Sequence, residues 1–196
     1  MPISRKIDVC ILKLKRYHGK IEMSTQLSKK ICLVGDFAVG KTSLVRRYVD
    51  NQFSDQYLST VGVKISRKLI ELPSTSASDT HSIQLLIWDI EGSDRFKSIE
   101  SSYLKGASGA IIVADLSRRD TMVSIDGHIQ QFVHINPNAF VVVAFNKADM
   151  VQDAAAIAMG TFTDVNRVLD TQLTSAKSGE GVERAFAALS IALMEK

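Results

Sequence analysis

The run Gly35-Asp36-Phe37-Ala38-Val39-Gly40-Lys41-Thr42 follows directly on the apolar stretch Ile31-Cys32-Leu33-Val34 and completes a G-x-x-x-x-G-K-[ST] pattern. It limits the fold tightly, because it requires a strand that ends in a close loop and a helix that starts at the loop's far side. Four intervening residues let successive backbone N–H groups curl around a β-phosphate. Lys41 then reaches the β/γ oxygens, and the Thr42 hydroxyl can coordinate Mg²⁺. Glycine at both ends permits the turn and the close approach of backbone to phosphate. A helix opening near Lys41 adds the positive end of its dipole. A chain with this joint is expected to hold a nucleoside triphosphate.

From residue 31 onward, apolar runs alternate with helical patterns. Strands are expected at Ile31–Gly35, Val63–Leu72, Ile83–Asp89, Gly109–Leu116, Ala139–Asn146 and Thr171–Thr174, and helices near 41–50, 94–105, 119–134, 152–159 and 180–195. Runs such as Ala110-Ile111-Ile112-Val113-Ala114 and Phe140-Val141-Val142-Val143-Ala144 are continuously apolar, as in strands buried on both faces of a parallel sheet. The order predicts an α/β fold: a doubly wound, mostly parallel six-stranded sheet with helices on both faces and ligands at the carboxyl ends of its strands. The polar cluster Pro73–Thr80 joins the second and third strands as a hairpin.

At 196 residues and 45% hydrophobic content, the chain suits one globular domain over 29–196. The net charge of +3 is unevenly spread: residues 1–30 hold eight Lys/Arg against Asp8 and Glu22, so the remainder is acidic. The basic character therefore belongs to an N-terminal extension, residues 1–28, and the body gives no reason to expect nucleic-acid binding. Within the extension, Ile7–Lys15 is compatible with an edge strand, an amphipathic patch for an anionic membrane, or disorder. Met23 is an alternative start. Cys10 and Cys32 lack metal-ligand spacing, and Cys32 within an apolar strand suits a buried thiol in a reducing, cytoplasmic setting. No apolar run approaches the roughly 20 residues that span a bilayer, and no C-terminal cysteine offers a prenylation site, so stable membrane insertion is not expected. His18, His81, His128 and His134 are scattered without metal-ligand spacing and read as surface or satisfied core.

Three further motifs follow the phosphate loop. Asp89-Ile90-Glu91-Gly92, after Trp88, is a D-x-x-G at the end of a strand, where the aspartate can hold Mg²⁺ through water and the glycine N–H can meet a γ-phosphate. Asn146-Lys147-Ala148-Asp149 ends the fifth expected strand; its carboxylate can accept from guanine N1–H and the 2-amino group, an edge that adenine lacks. The Lys147 stem can lie along the purine face, and Asn146 can tie this loop to the phosphate loop. In Thr174-Ser175-Ala176-Lys177, the Ala176 N–H could donate to guanine O6. These base-reading motifs disfavour an ATPase or kinase.

In this order and spacing the motifs resemble those of the Ras superfamily of small GTPases, and GDxxVGKT with Trp88 before D-x-x-G looks most like the Rab branch. The resemblance covers about residues 29–195 and includes a first switch segment, Asn51–Thr60. It implies a GTP/GDP and Mg²⁺ site formed by Gly35 to Ser43, Phe53 edge-on to the guanine, Tyr57, Thr60, Asp89, Gly92, Asn146, Lys147, Asp149, Ser175, Ala176 and Lys177. Thr42, Thr60 and, through water, Asp89 would hold the metal; Lys41, Thr60 and Gly92 would serve the cleavage step. It also implies effector and regulatory proteins that read the switch surface, with Phe96 and Tyr103 as apolar anchors.

Four positions depart from the family pattern. Ser93 stands where the family usually has a glutamine that orients the attacking water, and a serine is too short for that span. Glu91 replaces the usual alanine; a like-charge pair at 4 Å costs about 1 kcal/mol in water and ~4 kcal/mol at an effective dielectric of 20, so Glu91 must point away or be paired. Phe37 and Ala38 fill phosphate-loop positions that are glycine in the Ras branch, and the ring either crowds the cleavage site or folds outward. Together they predict intact binding with weak hydrolysis, either in a slow switch or in a nucleotide-locked scaffold module.

Overall fold

The computed structural model describes residues 11–17, 20–54, 60–72, 81–92, 97–154 and 168–195. The elements are β1 (Ile11–Tyr17), β2 (Lys20–Val34), α1 (Lys41–Asp50), β3 (Val63–Leu72), β4 (His81–Ile90), α2 (Lys97–Leu104), β5 (Gly109–Asp115), α3 (Arg119–Val123), α4 (Ile125–Ile135), β6 (Phe140–Asn146), β7 (Val168–Leu173) and α5 (Val182–Met194). The sheet order is β3-β4-β2-β5-β6-β7, with β1 paired to β2. Pairing is parallel from β4 through β2, β5 and β6 to β7, and antiparallel for β3–β4 and β1–β2. This is the α/β architecture expected from the alternation of apolar runs and helical patterns.

The six expected strands are present and β1 makes a seventh. β2 begins eleven residues before Ile31, because Lys20–Gln26 pairs residue for residue with Ile11–Tyr17 as a hairpin arm. The β3–β4 hairpin is also formed, its ladder running from Val63↔Ile90 to Leu72↔His81. The helix expected over 119–134 is divided at Ser124, whose hydroxyl donates to the Asp120 carbonyl at 3.1 Å, a back-bond of the kind that bends helices. The helix expected near 152–159 lies mostly outside the described residues.

Alternation along the buried strands divides the core in two. Ile31, Leu33, Ile111, Val113, Val142 and Ala144 face α1 and α5, where the Tyr48 and Phe186 rings stack at 3.8 Å. Cys32, Val34, Ala110, Ile112, Val141 and Val143 face α4, with Ile125, Ile129 and Phe132 packed on them. The Cys32 thiol is fully buried, and burial pushes its pKa up to about 12, so it is inert as a nucleophile. Behind it Lys30 lies 3.9 Å over the Trp88 ring and donates to the carbonyls of Tyr103 and Lys105. The carboxyl ends of β2, β4, β5, β6 and β7 all open on the same edge, which is where the motif loops meet.

Candidate functional site

At that edge lies a cavity of about 460 Å³, within the range of small-molecule sites. Among the residues expected to contact nucleotide, Phe37, Ala38, Gly40, Lys41, Thr42, Ser43, Phe53, Thr60, Gly92, Asn146, Lys147, Asp149, Ala176 and Lys177 line it. Gly35, Asp36, Val39, Asp89 and Ser175 stand behind the wall and hold those residues in place, as described below. Tyr57, Ser93 and Phe96 lie outside the described residues.

The phosphate loop is built around two close approaches. Gly40 has φ +99°, and a Cβ there would stand 2.3 Å from the Asn146 amide nitrogen, so no larger residue fits. A Cβ on Gly92 would fall 2.3 Å from Lys41 Nζ and 2.4 Å from the Gly35 carbonyl oxygen; the start of the second switch segment is packed on the loop itself. Lys41 is only 7% exposed, and its ammonium donates to the carbonyls of Gly35 at 2.7 Å and Asp36 at 2.8 Å. Ala38 sits at φ +61°, in the left-handed region where most residues are strained. Phe37 is 46% exposed and its carbonyl accepts from Arg118 Nη2 at 2.7 Å.

One corner of the cavity is an oxygen cluster. Thr42 Oγ1 donates to Asp89 Oδ2 at 2.6 Å and lies 2.6 Å from Thr60 Oγ1; with its own proton given to Asp89, Thr42 accepts from Thr60. Asp89 is 1% exposed, and its Oδ1 has no hydrogen-bond partner among the described residues. Burial raises the carboxyl's pKa, against the lowering pull of the Thr42 hydrogen bond and the Lys41 charge. Two hydroxyls and a carboxylate with an unsatisfied buried oxygen make the all-oxygen donor set that suits Mg²⁺, so the residues fit that ion.

The opposite wall is formed by the Asn146–Asp149 and Thr174–Lys177 loops. Asn146 Nδ2 donates to the Val39 carbonyl at 2.9 Å, while its Oδ1 accepts from the Ala176 N–H at 3.2 Å and from Thr174 Oγ1 at 3.4 Å. The tie between Asn146 and the phosphate loop is therefore direct, and the Ala176 amide is engaged with Asn146. Ser175 Oγ donates to Asp149 Oδ1 at 2.6 Å, which orients that exposed carboxylate. Lys147 adopts φ +63° and its ammonium pairs with Asp115 Oδ2 at 2.6 Å.

Several neighbours of the motif residues were not legible in the motifs. Asp115, 1% exposed at the end of β5, is pushed up by burial, yet hydrogen bonds from Lys147 and Ser117 outweigh that and hold its carboxyl below the usual range. Its position at the end of a fully apolar strand was the available signal. Arg118 bridges Asp115, at 3.2 Å, and the Phe37 carbonyl. His128, read as surface or satisfied core, places Nε2 2.9 Å from Asp36 Oδ1 and so ties α4 to the phosphate loop. Glu91 is paired: its Oε2 accepts from the Gly62 N–H at 2.9 Å, and its own N–H donates to the Gly62 carbonyl at 2.9 Å.

Residues 30–149 match the family model described as Roc, the Ras of Complex domain of DAP kinase. The chain is 35% identical over 167 residues to the Ras-related protein Rab-1C of Dictyostelium discoideum, covering 82% of this chain and 78% of that one. It is 33% identical over 174 residues to the Ras-related protein RABD1 of Arabidopsis thaliana, covering 85% and 80%. It is 32% identical over 172 residues to the GTP-binding protein YPTM2 of Zea mays, again covering 85% and 80%. With the phosphate loop, D-x-x-G and the base-reading loops gathered at one sheet edge, the chain belongs to the Ras superfamily of small GTPases, and within it is Rab-like.

Proposed function

We propose that the protein is a guanine-nucleotide switch that binds GTP or GDP with Mg²⁺ and cleaves GTP slowly. The observation that carries the switch is the Thr42–Thr60–Asp89 cluster, because Thr60 belongs to the first switch segment while Thr42, which it bonds, belongs to the helix after the phosphate loop and Asp89, bonded by Thr42 in turn, to β4. Mg²⁺ bound there would neutralise phosphate charge and tie both switches to the γ-phosphate side. Lys41 would hold the β/γ oxygens, Gly92 would offer its N–H, and Asp149 would select guanine through its N1–H and 2-amino edge. Slow cleavage rests on Ser93, which lacks the reach of the family's glutamine. Partners are effector and regulatory proteins that read the ordered switch surface.

One observation favours a second reading, a locked module in which the nucleotide is structural. Glu91 bonds Gly62, two residues past Thr60, through protein atoms alone, so the chain beyond the first switch segment is tied to the D-x-x-G turn without a γ-phosphate. Exchange of a fluorescent GDP, followed with excess Mg²⁺ and then with EDTA, separates the two. A switch releases GDP many-fold faster once EDTA removes the metal, and cleaves GTP measurably. Slow release under both conditions, with no cleavage, is the signature of the locked module.

A further inference from the structure

Arg47 lies in the last turn of α1, roughly 9 Å along the helix from Lys41 at its start. Its Nε donates to the Ala176 carbonyl at 2.8 Å and its Nη2 to the Lys177 carbonyl at 2.6 Å. A planar guanidinium fork that takes two successive backbone carbonyls fixes both the position and the tilt of the peptide between them, which a lysine ammonium does not do. Nη1 adds weaker contacts to the Asn51 carbonyl and Oδ1, at 3.5 and 3.4 Å. The held loop does two things for the cavity. Ser175 orients the Asp149 carboxylate, and the Ala176 N–H holds Asn146 Oδ1. Arg47 does not itself line the cavity.

We propose that Arg47 is a positioning residue for base selection: by clamping the Ala176 and Lys177 carbonyls it sets the Ser175–Asp149 bond and so the preference for guanine. The phosphate and base halves of the site are then carried on one rigid helix, Lys41 at one end and Arg47 at the other. The proposal rests on the reading of the cavity as a guanine-nucleotide site.

The test compares dissociation of GDP with that of inosine diphosphate, which lacks the 2-amino group, from the full chain in Mg²⁺. Arg47→Met is expected to speed GDP release about tenfold, the loss of a pair of charge-assisted bonds being only partly transmitted, and to release inosine diphosphate much less faster. The GDP preference therefore shrinks, while acceleration by EDTA, a property of the phosphate end, stays as in the unaltered protein. Arg47→Lys keeps the charge without the fork and is expected to lose part of the preference; it carries the test if the methionine variant does not fold. A merely structural role would speed both nucleotides equally, and that unchanged ratio would overturn the proposal. So would a lysine variant with the full preference. Failure of the unaltered protein to bind GDP, or to prefer it, would overturn the guanine reading itself, and is seen before any variant is made.

Discussion

Asp115 shows how much of the site depends on one residue that makes no motif. Its carboxylate gathers Lys147, Arg118 and Ser117 at the end of β5. Its folded-state pKa is depressed, so the stability it contributes is present above the ordinary value of 3.8 and is lost as pH falls from there through the lowered value. Asp115→Asn should flatten this acid limb in urea titrations taken at stepped pH, and should cost about 2 kcal/mol at neutral pH, the scale of a lost hydrogen bond to a charged group. Ala38 makes the opposite case. At φ +61° it carries a strain of about 1–2 kcal/mol that glycine would relieve, offset in part by the extra unfolded-state freedom of glycine. Ala38→Gly is expected to stabilise the protein by about 0.5 kcal/mol in equilibrium denaturation at fixed nucleotide concentration.

Elements are set against one another by a few side-chain bonds, and the end of the β3–β4 pair gives the clearest instance. Glu91 extends the β3–β4 ladder by one step, taking the Gly62 N–H on its side chain. In Glu91→Ala that amide loses its acceptor, and hydrogen exchange at Gly62 should quicken about fivefold, the equivalent of ~1 kcal/mol; unchanged exchange would show that the side chain does not hold the segment. The sequence required only that Glu91 be paired or turned away, since a carboxylate beside phosphate is costly whatever its partner. Which amide it finds depends on the register Val63↔Ile90, a long-range property. Strands such as β5 and β6 were legible because burial on both faces leaves an unbroken apolar run. The division at Ser124 was not, since a serine on a helical pattern reads as helix until its hydroxyl is seen on the Asp120 carbonyl. Arg47 and His128 were hidden for another reason: their partners lie 129 and 92 residues away.

Across the whole molecule, two cores on one sheet hold the motif loops at a common edge. The α1–α5 face depends on Phe186, fully buried and stacked on Tyr48. Phe186→Ala should therefore lose about 3–5 kcal/mol in denaturant titration and loosen α1, which carries Lys41 and Thr42, against the sheet. The hairpin of β1 with the first half of β2 extends this sheet past the body of the domain, in a segment whose basic, half-alternating sequence left several structures open. The four motifs survive folding as one cavity, lined by fourteen of the residues expected there and backed by Asp89, Val39 and Ser175. What the cavity does to GTP is the central question, and single-turnover cleavage by the purified chain in Mg²⁺, with no partner present, addresses it most directly. GTP bound and cut at or below about 10⁻⁴ per second is the result expected of a guanine-nucleotide site with Ser93 in the glutamine position. Cleavage clearly faster than that, without an activator, would contradict it.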